Sequence, residues 1–297
     1  MSGSVDVVVI GGGPAGSAIA RLLAESGHQV RVLTRAADPA RGAAESLPPS
    51  TRKLLAKIGV LDAVDRADFY RTTGNTVWWG QREGHVEKFG SGASDALETV
   101  AYGYQVLRPE LDRLLLTTAA GAGADVTCDA HVHRVHLTGT ESLDDSGQGS
   151  DARVDYHREG QPARTIACRF AVDCSGRAGV IARQGFRRHQ PGYRTQAFIG
   201  VWQSASGWTL PDQSHTLVET YEDGWAWSVP LSATLRQVGV AVDGGTTRIR
   251  RGPTLQGTYR AEIGKTRQIS TLMSGATLDR VWSCDASLFS AHQPAGS

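Results

Sequence analysis

Residues 5–33 read VDVVVIGGGPAGSAIARLLAESGHQVRVL. The β-branched run at residues 7–10 favours a buried parallel strand, and Gly11, Gly13 and Gly16 follow it at the G-x-G-x-x-G spacing. Pro14 suits the first position of a helix, and Val30 opens a second β-branched run. The pattern therefore predicts a strand, a tight glycine turn, a helix and a second strand.

This unit is typical of a dinucleotide site for FAD or NAD(P). The glycines let backbone amides approach a diphosphate, which lies at the positive end of the helix. The alternative is an ordinary strand-turn-helix unit whose glycines serve only packing. The preceding strand and Pro14 favour the dinucleotide interpretation.

The position that usually carries a ribose-binding carboxylate lies about twenty residues further on. Here it is Thr34, followed by Arg35. A threonine hydroxyl can bond a ribose without the charged acceptor that strengthens such bonds. Alternatively, Thr34 only ends the strand and another group holds the ribose.

Composition narrows the classes of partner. The chain has 31 Lys and Arg against 30 Asp and Glu, interspersed, so we expect neither a nucleic-acid nor a membrane partner. Four cysteines show no metal-ligand spacing, and His131, His133 and His136 lack a completing ligand, so no metal site is predicted. Reduced thiols and the absence of a visible targeting signal favour a cytoplasmic location.

The rest of the chain alternates helical and strand patterns. A turn-rich link at residues 45–50 leads into a helix that ends before Gly59, and a second helix is expected at 109–120. Residues 126–128 and 131–137 are predicted to pair as strands, and 141–151 form a polar loop. Strands are also expected at 76–79, 85–89, 154–157 and 165–173, and a β-rich block at 195–242.

The predicted fold class is α/β, with a Rossmann-like parallel sheet and an interleaved, mainly antiparallel β domain. The first domain is expected to take residues 1–75 and 105–185. The β-rich domain, which would carry the substrate, takes 76–104 and 186–280. Residues 281–297 then return to the first domain.

Four motifs in this order resemble the FAD-dependent monooxygenase and flavin-dependent halogenase superfamily. They are the glycine turn, Glu45-Ser46-Leu47-Pro48-Pro49, Arg108 at the start of RPELDRLLL, and Asp173-Cys174-Ser175-Gly176-Arg177. The segment GWAWSVP at 224–230 resembles the W-x-W-x-I-P signature of the halogenase branch, with Val for Ile. The resemblance covers essentially the whole chain.

The resemblance implies FAD as the cofactor and assigns residues to its site. Arg108 would lie near the phosphates, Val132 would meet the adenine through its backbone, and Asp173 and Gly176 would lie close to the cofactor. Taken alone, Arg108 reads as a helix-start surface residue and Asp173 as a helix cap. The full set of implied cofactor-binding residues is Gly11, Gly13, Pro14, Ala15, Gly16, Thr34, Arg35, Ser46, Arg108, Val132, Asp173 and Gly176.

The chain departs from the halogenase pattern at two places. Arg71 aligns where halogenases carry a lysine, and an arginine cannot supply a neutral amine. Members of the superfamily also continue past a segment like 279–297 into a Gly-Asp turn at the flavin. The expectation is therefore that part of the flavin site is not in this sequence.

Three functions follow as hypotheses. The first is a monooxygenase-like oxidoreductase using reduced flavin and O₂ on an aromatic or indole group, small or carried on a protein, with candidate contacts Arg71, Trp225 and Trp227. The second is a flavin-dependent halogenase, and the third a non-catalytic FAD-binding module. Because no second glycine motif follows a strand, no dedicated NAD(P)H domain is expected; either a separate flavin reductase supplies reduced flavin or a nicotinamide docks transiently.

Overall fold

The structure, a computed structural model, describes residues 4–36, 42–80, 83–90, 101–137, 152–190, 192, 194–244 and 254–291. Helices and strands alternate along the first half of these residues, and strands dominate the second half. The helices are α1 (Pro14–Glu25), α2 (Pro49–Lys57), α3 (Leu61–Arg66), α4 (Arg108–Gly121), α5 (Leu255–Ile263) and α6 (Gln268–Leu272). The strands are β1 (Val5–Ile10), β2 (Val30–Leu33), β3 (Ala44–Leu47), β4 (Tyr70–Thr72), β5 (Gly74–Trp78), β6 (His85–Lys88), β7 (Gly103–Leu107), β8 (Asp125–Thr127), β9 (Ala130–Leu137), β10 (Ala152–Arg158), β11 (Arg164–Asp173), β12 (Arg187–His189), β13 (Thr195–Gln203), β14 (Thr216–Tyr221), β15 (Gly224–Pro230), β16 (Leu235–Asp243), β17 (Thr277–Asp285) and β18 (Phe289–Ala291).

The glycine turn follows β1, an inner strand of a six-stranded sheet. The order of this sheet is β8-β2-β1-β11-β10-β9, and β8, β2, β1 and β11 run parallel. On one face of β1, Val7 and Val9 pack with Ala20 of α1 and Ala119 of α4. On the other face, Val8 packs with apolar residues of β9 and β10. The β-branched residues of β1 are thus buried on both faces, as a central parallel strand requires. This confirms the predicted strand-turn-helix-strand unit.

A three-stranded antiparallel sheet, β3-β7-β4, stands between the larger sheets. The predicted turn-rich link at 45–50 is wrong at its start, because Ala44–Leu47 forms β3. Ser46 pairs with Gln105 of β7, so a strand distant in sequence overrides the local turn preference. Helices α2, α3 and α4 cover the outer face of this sheet through Leu55, Val64 and Leu111.

The largest sheet among the described residues has seven strands in the order β17-β13-β16-β15-β14-β5-β6. All its pairs are antiparallel except β14 with β5, so the predicted mainly antiparallel, interleaved β layer is confirmed. Ala226 and Val240 share the face that packs on α5 and α6. Strand alternation places Trp225, Trp227 and Gln237 on the opposite face, which we call the tryptophan face.

Two local predictions need correction. Residues 126–128 and 131–137 do not pair with each other, since β8 lies beside β2 and β9 pairs with β10. Asp129, at φ +56°, turns the chain between them and sends the two strands to opposite edges of the sheet. The segment after Asp173, which its reading as a helix cap implies to be helical, forms two 3₁₀ turns, Gly176–Ala178 and Ala182–Gln184.

Some expectations remain open. The polar loop at 141–151 lies outside the described residues. The domain boundaries remain a prediction. No helix in the described part of the chain is both long and apolar enough to cross a membrane.

Candidate cofactor-binding site

The glycine turn is built so tightly that side chains are excluded from it. An ideal Cβ on Gly16 would lie 1.8 Å from the carbonyl oxygen of Gly11, and one on Gly11 would lie 2.3 Å from that of Cys174. Gly11 also has φ +107°, a conformation that favours glycine. The backbone between β1 and α1 is therefore closely packed, with Pro14 and Ala15 in the first helical turn. Free N–H groups at this end of α1 suit an anion.

Arg108 stands beside the turn. It begins α4, and its Nη2 atom lies 3.5 Å from the position of a Cβ on Gly13. The guanidinium donates to Asp112 through Nε (3.0 Å) and Nη2 (3.3 Å) and to Glu45 through Nη1 (3.2 Å). Burial alone would lower the pKa of Arg108, but these carboxylates raise it above its ordinary value. The structure thus places a permanent, partly neutralised cation next to Gly13.

Thr34 ends β2 against the same turn. Its Oγ1 atom accepts a hydrogen bond from the backbone N–H of Gly12 at 3.1 Å and donates to the carbonyl oxygen of Arg35 at 3.3 Å. The Thr34 hydroxyl therefore binds the backbone of the glycine turn. Thr34 occupies the position at which related sites usually carry a ribose-binding carboxylate. Arg35 follows as an exposed residue.

Asp173, at the end of β11, caps the segment that follows it. Its carboxylate accepts hydrogen bonds from the backbone of Ile181 (2.7 Å) and Ala182 (3.1 Å) and from the side chain of Ser175 (2.5 Å). Burial alone would raise the pKa of Asp173, but these hydrogen bonds lower it below its usual value. The helix-cap alternative thus describes its contacts, while Gly176 continues the turn at φ +59°.

Ser46 and Val132 lie on two other strands near these groups. Val132 packs among the side chains around Leu33, and the N–H of Ala130 donates to the carbonyl oxygen of Thr34 at 2.9 Å. Ser46 follows Glu45, which binds Arg108. The predicted residues that follow β1 and β2, begin α4, lie on β9 and end β11 are therefore placed around the carboxyl ends of the parallel strands. This is where open α/β sheets bind ligands.

The tryptophan face presents a pair of indoles. The Trp225 and Trp227 ring centroids are 4.8 Å apart, and Trp225 is 39% exposed. Trp227 lies over Gly239, where an ideal Cβ would be 2.1 Å from its Cζ2 atom. Trp282 and Ile199 pack beside it.

Arg71 is not brought to this indole pair. It lies opposite Tyr104 in the β4–β7 register, on the face covered by the helices, and its guanidinium lies 4.4 Å from the Tyr102 ring centroid. Its role as a substrate contact remains a prediction.

Sequence reasoning missed the partners of Arg108 and one buried amide. The i,i+4 spacing of Arg108 and Asp112 was a readable signal, whereas nothing local pointed to Glu45. Gln237, on the tryptophan face, binds the backbone of residues 42 and 44. Gln237 directly precedes the apolar run at 238–242, and nothing in the neighbouring sequence pointed to its partners. Within the described ranges, no group of three or more His, Cys, Asp or Glu is arranged to hold a metal ion.

The cradle fits the diphosphate of FAD. Gly11 and Gly16 let the turn and helix α1 pack against each other and against Cys174, Gly13 carries no side chain at the start of α1, and Arg108 adds a cation beside Gly13. That Val132 and Thr34 contact the adenosine half remains a prediction.

Comparisons with known proteins agree with this geometry. A family model described as an FAD-binding domain matches residues 4–264. Flavin-dependent halogenase armH4 of Armillaria mellea is 27% identical over 297 residues, covering 97% of this chain and 54% of the relative. The crystal structure of CmlS, a flavin-dependent halogenase, superposes with a TM-score of 0.82 at 26% identity, over 98% of this chain and 51% of that one.

A second solved structure has a similar fold. The myxobacterial chondrochloren halogenase CndH, a variant of FAD-dependent halogenases, is 28% identical with a TM-score of 0.79, over 96% of this chain and 65% of that one. The chain spans about half the length of the curated relatives it matches.

Proposed function

Because the chain belongs to the FAD-binding domain family, within the FAD-dependent monooxygenase and halogenase superfamily, we propose that it carries the FAD-binding part of a monooxygenase-like oxidoreductase. Its substrate is an aromatic or indole group, small or carried on a protein. The observation that carries the proposal is the glycine cradle with Arg108 beside Gly13. When bound, FAD supplies the redox chemistry, including the reaction of its reduced form with O₂.

The protein's own residues bind and orient the cofactor. Amides at the start of α1 hold the diphosphate, and Arg108 offers a further N–H group when it turns from Glu45 toward the phosphates. Thr34 holds the turn through its bond to Gly12. Trp225 and Trp227 offer flat apolar surfaces on which an aromatic ring stacks.

Halogenation is the second candidate. The relatives are named as halogenases, and the segment Gly224–Pro230 carries the tryptophan pair. Arg71 stands for the expected lysine and lies against the Tyr102 ring, and because an arginine cannot supply a neutral amine, this favours oxygen transfer. A separate flavin reductase and a cytoplasmic location, supported by four cysteines that form no disulfide, complete the proposal.

Titration of flavin fluorescence tests the cofactor site. Wild-type protein should quench FAD saturably, ADP should compete, and Arg108→Gln should weaken FAD binding at least about tenfold through loss of a charge-assisted contact. Arg113→Gln removes an exposed arginine from the same helix and is the matched control. Absence of saturable FAD uptake by the wild-type chain would overturn the proposal.

Product mass separates the two chemistries. Reduced FAD, O₂, chloride and a panel of indoles and phenols are supplied to the chain. A gain of one oxygen atom supports oxygen transfer, whereas exchange of one hydrogen for chlorine identifies a halogenase. FAD binding with neither product supports the non-catalytic module.

A further inference from the structure

Gln237 is a fully buried amide that joins two layers of the molecule. It lies on β16 with 1% of its surface exposed. Its Oε1 atom accepts the N–H of Ala44 at 2.5 Å, and its Nε2 atom donates to the carbonyl oxygen of Gly42 at 2.9 Å. Both partners lie at the start of β3, far away in sequence: Gly42 precedes the strand and Ala44 is its first residue. The amide therefore uses its donor and its acceptor to hold one short piece of backbone.

The same piece of backbone is held from its other side by the cofactor cradle. The carbonyl oxygen of Ala43 accepts the backbone N–H of Arg108 at 2.9 Å, and the Glu45 carboxylate binds the Arg108 guanidinium. Residues 42–45 thus lie between Gln237 and Arg108, with alternate groups bonded to each. Arg108 in turn stands beside Gly13.

On its own strand pair, Gln237 is a neighbour of the indoles. It pairs with Val229 of β15, and Trp227 pairs with Gly239 on the same face. The bonds of Gln237 therefore connect the tryptophan face with the segment that holds Arg108. Replacing the amide with an apolar group would leave the Ala44 N–H and the Gly42 carbonyl group without their partners, which a buried backbone rarely tolerates.

We propose that Gln237 is a positioning residue for the cofactor: by fixing residues 42–45, it sets the place of Glu45 and of Arg108 beside the diphosphate turn. This inference rests on the proposed FAD function. Gln237 itself lies away from the turn and acts only through Arg108.

The variant Gln237→Met keeps the length of the side chain and removes both hydrogen bonds. We expect FAD affinity to fall about tenfold, because Arg108 loses its fixed neighbour. Gln237→Asn keeps a neutral amide whose side chain is one methylene too short to make both bonds, so it should lower affinity in the same direction and serves if the first variant does not fold. The readout is quenching of flavin fluorescence.

Gln184→Met is the matched control. Gln184 also accepts a backbone N–H and donates to a backbone carbonyl, both of Val135 on the edge of β9. Its loss removes the same pair of bonds at a place that does not contact residues 42–45. FAD affinity should stay within about twofold of the wild type.

A double-mutant cycle with Arg108→Gln separates positioning from general destabilisation. If Gln237 acts through Arg108, adding Gln237→Met to Arg108→Gln should weaken FAD binding no further. Additive losses, or unchanged affinity in Gln237→Met, would overturn the inference while leaving the FAD function intact.

Hydrogen exchange gives a readout that does not need FAD. The Ala44 amide should be protected in the wild type and exchange at least about tenfold faster in Gln237→Met, with no change in Gln184→Met. If the wild type fails to bind FAD, the proposed function falls, and this measurement still decides whether Gln237 holds the segment. Unchanged protection of Ala44 would overturn the inference by itself.

Discussion

At the scale of single residues, Gly16 shows why the glycine spacing carries structural information. The backbone of α1 passes so close to Gly11 that an ideal Cβ on Gly16 would lie 1.8 Å from its carbonyl oxygen. Because the Gly11 oxygen is a backbone atom and not the end of a flexible side chain, the helix or the turn must move to admit an alanine at position 16. The same contact keeps the helix N-terminus facing the cradle.

We therefore expect Gly16→Ala to cost about 3 kcal/mol of unfolding free energy and to reduce FAD affinity. Gly121→Ala is the control, since its Cβ meets no atom within 4 Å and it ends α4. Alanine there should be neutral or stabilise by up to about 1 kcal/mol. Urea unfolding measures both, and a Gly16→Ala protein as stable as wild type would contradict the packing argument.

At Gly239 the atom that would clash with an added Cβ belongs to a side chain, Trp227, and not to the backbone. Its open Cα lets the Trp227 indole lie on β16, with Cζ2 only 2.1 Å from an ideal Cβ. Gly239→Ala should displace Trp227, change the near-ultraviolet circular dichroism of the Trp225–Trp227 pair and cost about 1–3 kcal/mol.

The counterpart on the other face of the sheet is Gly200, whose ideal Cβ would meet the Tyr259 ring at 2.6 Å. Gly200→Ala should destabilise by a similar amount yet leave the indole pair undisturbed. Because Tyr259 binds the Trp202 indole, Gly200→Ala changes the Trp202 contribution to the spectrum instead. An unchanged near-ultraviolet spectrum in Gly239→Ala would show that Gly239 has no part in seating Trp227.

At the scale of an element, the turn after β11 depends on one carboxylate. Asp173 accepts four hydrogen bonds from Ser175, Ile181 and Ala182. Its pKa is lowered in the folded protein, because these bonds outweigh the effect of burial. The stabilisation is therefore complete above the ordinary pKa of an aspartate, about 3.9, and is lost as the pH falls through the lower folded value.

Asp173→Asn should lose about 1–3 kcal/mol at pH 7, because a neutral amide is a weaker acceptor. The gap from wild type should shrink when urea unfolding is repeated at about pH 3, below the ordinary aspartate pKa. Asp279→Asn, on an exposed position of β17, controls for the charge change. A gap that is equal at both pH values would exclude the carboxylate as its source.

Strand β16 is also tied to the segment before β14 by a buried cation. Arg236 is fully buried and donates to the Ser228 hydroxyl and to the carbonyl oxygens of Gln213 and His215. In the described residues no carboxylate pairs with it, and burial lowers the pKa of Arg236 to about 10. The guanidinium is held by neutral oxygens alone.

Arg236→Met should therefore cost about 3 kcal/mol, since it leaves two carbonyl groups and a hydroxyl without donors, partly offset by removal of a buried charge. Arg260→Met, an exposed arginine whose guanidinium lies over Trp202, should cost less. Urea unfolding compares the two. A more stable Arg236→Met protein would mean that desolvation of the cation outweighs its hydrogen bonds.

At the scale of the whole molecule, sequence patterns predicted what is local. The glycine turn, α1 and the strands of the second half each carry their own periodicity, so their type could be read without partners. Strand β3 could not, because Ser46 is a strand residue only opposite Gln105. The same holds for Gln237, whose partners at residues 42 and 44 leave no trace in its neighbours. The features of the site that could not be predicted, β3 and the bonds of Gln237, therefore depend on contacts between segments far apart in sequence.

The cradle brings together the glycine turn before α1 and Arg108 at the start of α4, which are far apart in sequence. A ligand that binds both should stabilise the folded protein by mass action. FAD at one hundred times its dissociation constant adds about 2.7 kcal/mol to the unfolding free energy. Thermal unfolding should therefore shift upward with FAD in a concentration-dependent way. ADP should give part of the shift, because the glycine turn and Arg108 meet the diphosphate that it shares with FAD. Riboflavin, which lacks the diphosphate, should give none, and an equal shift with riboflavin would place the binding energy outside the cradle.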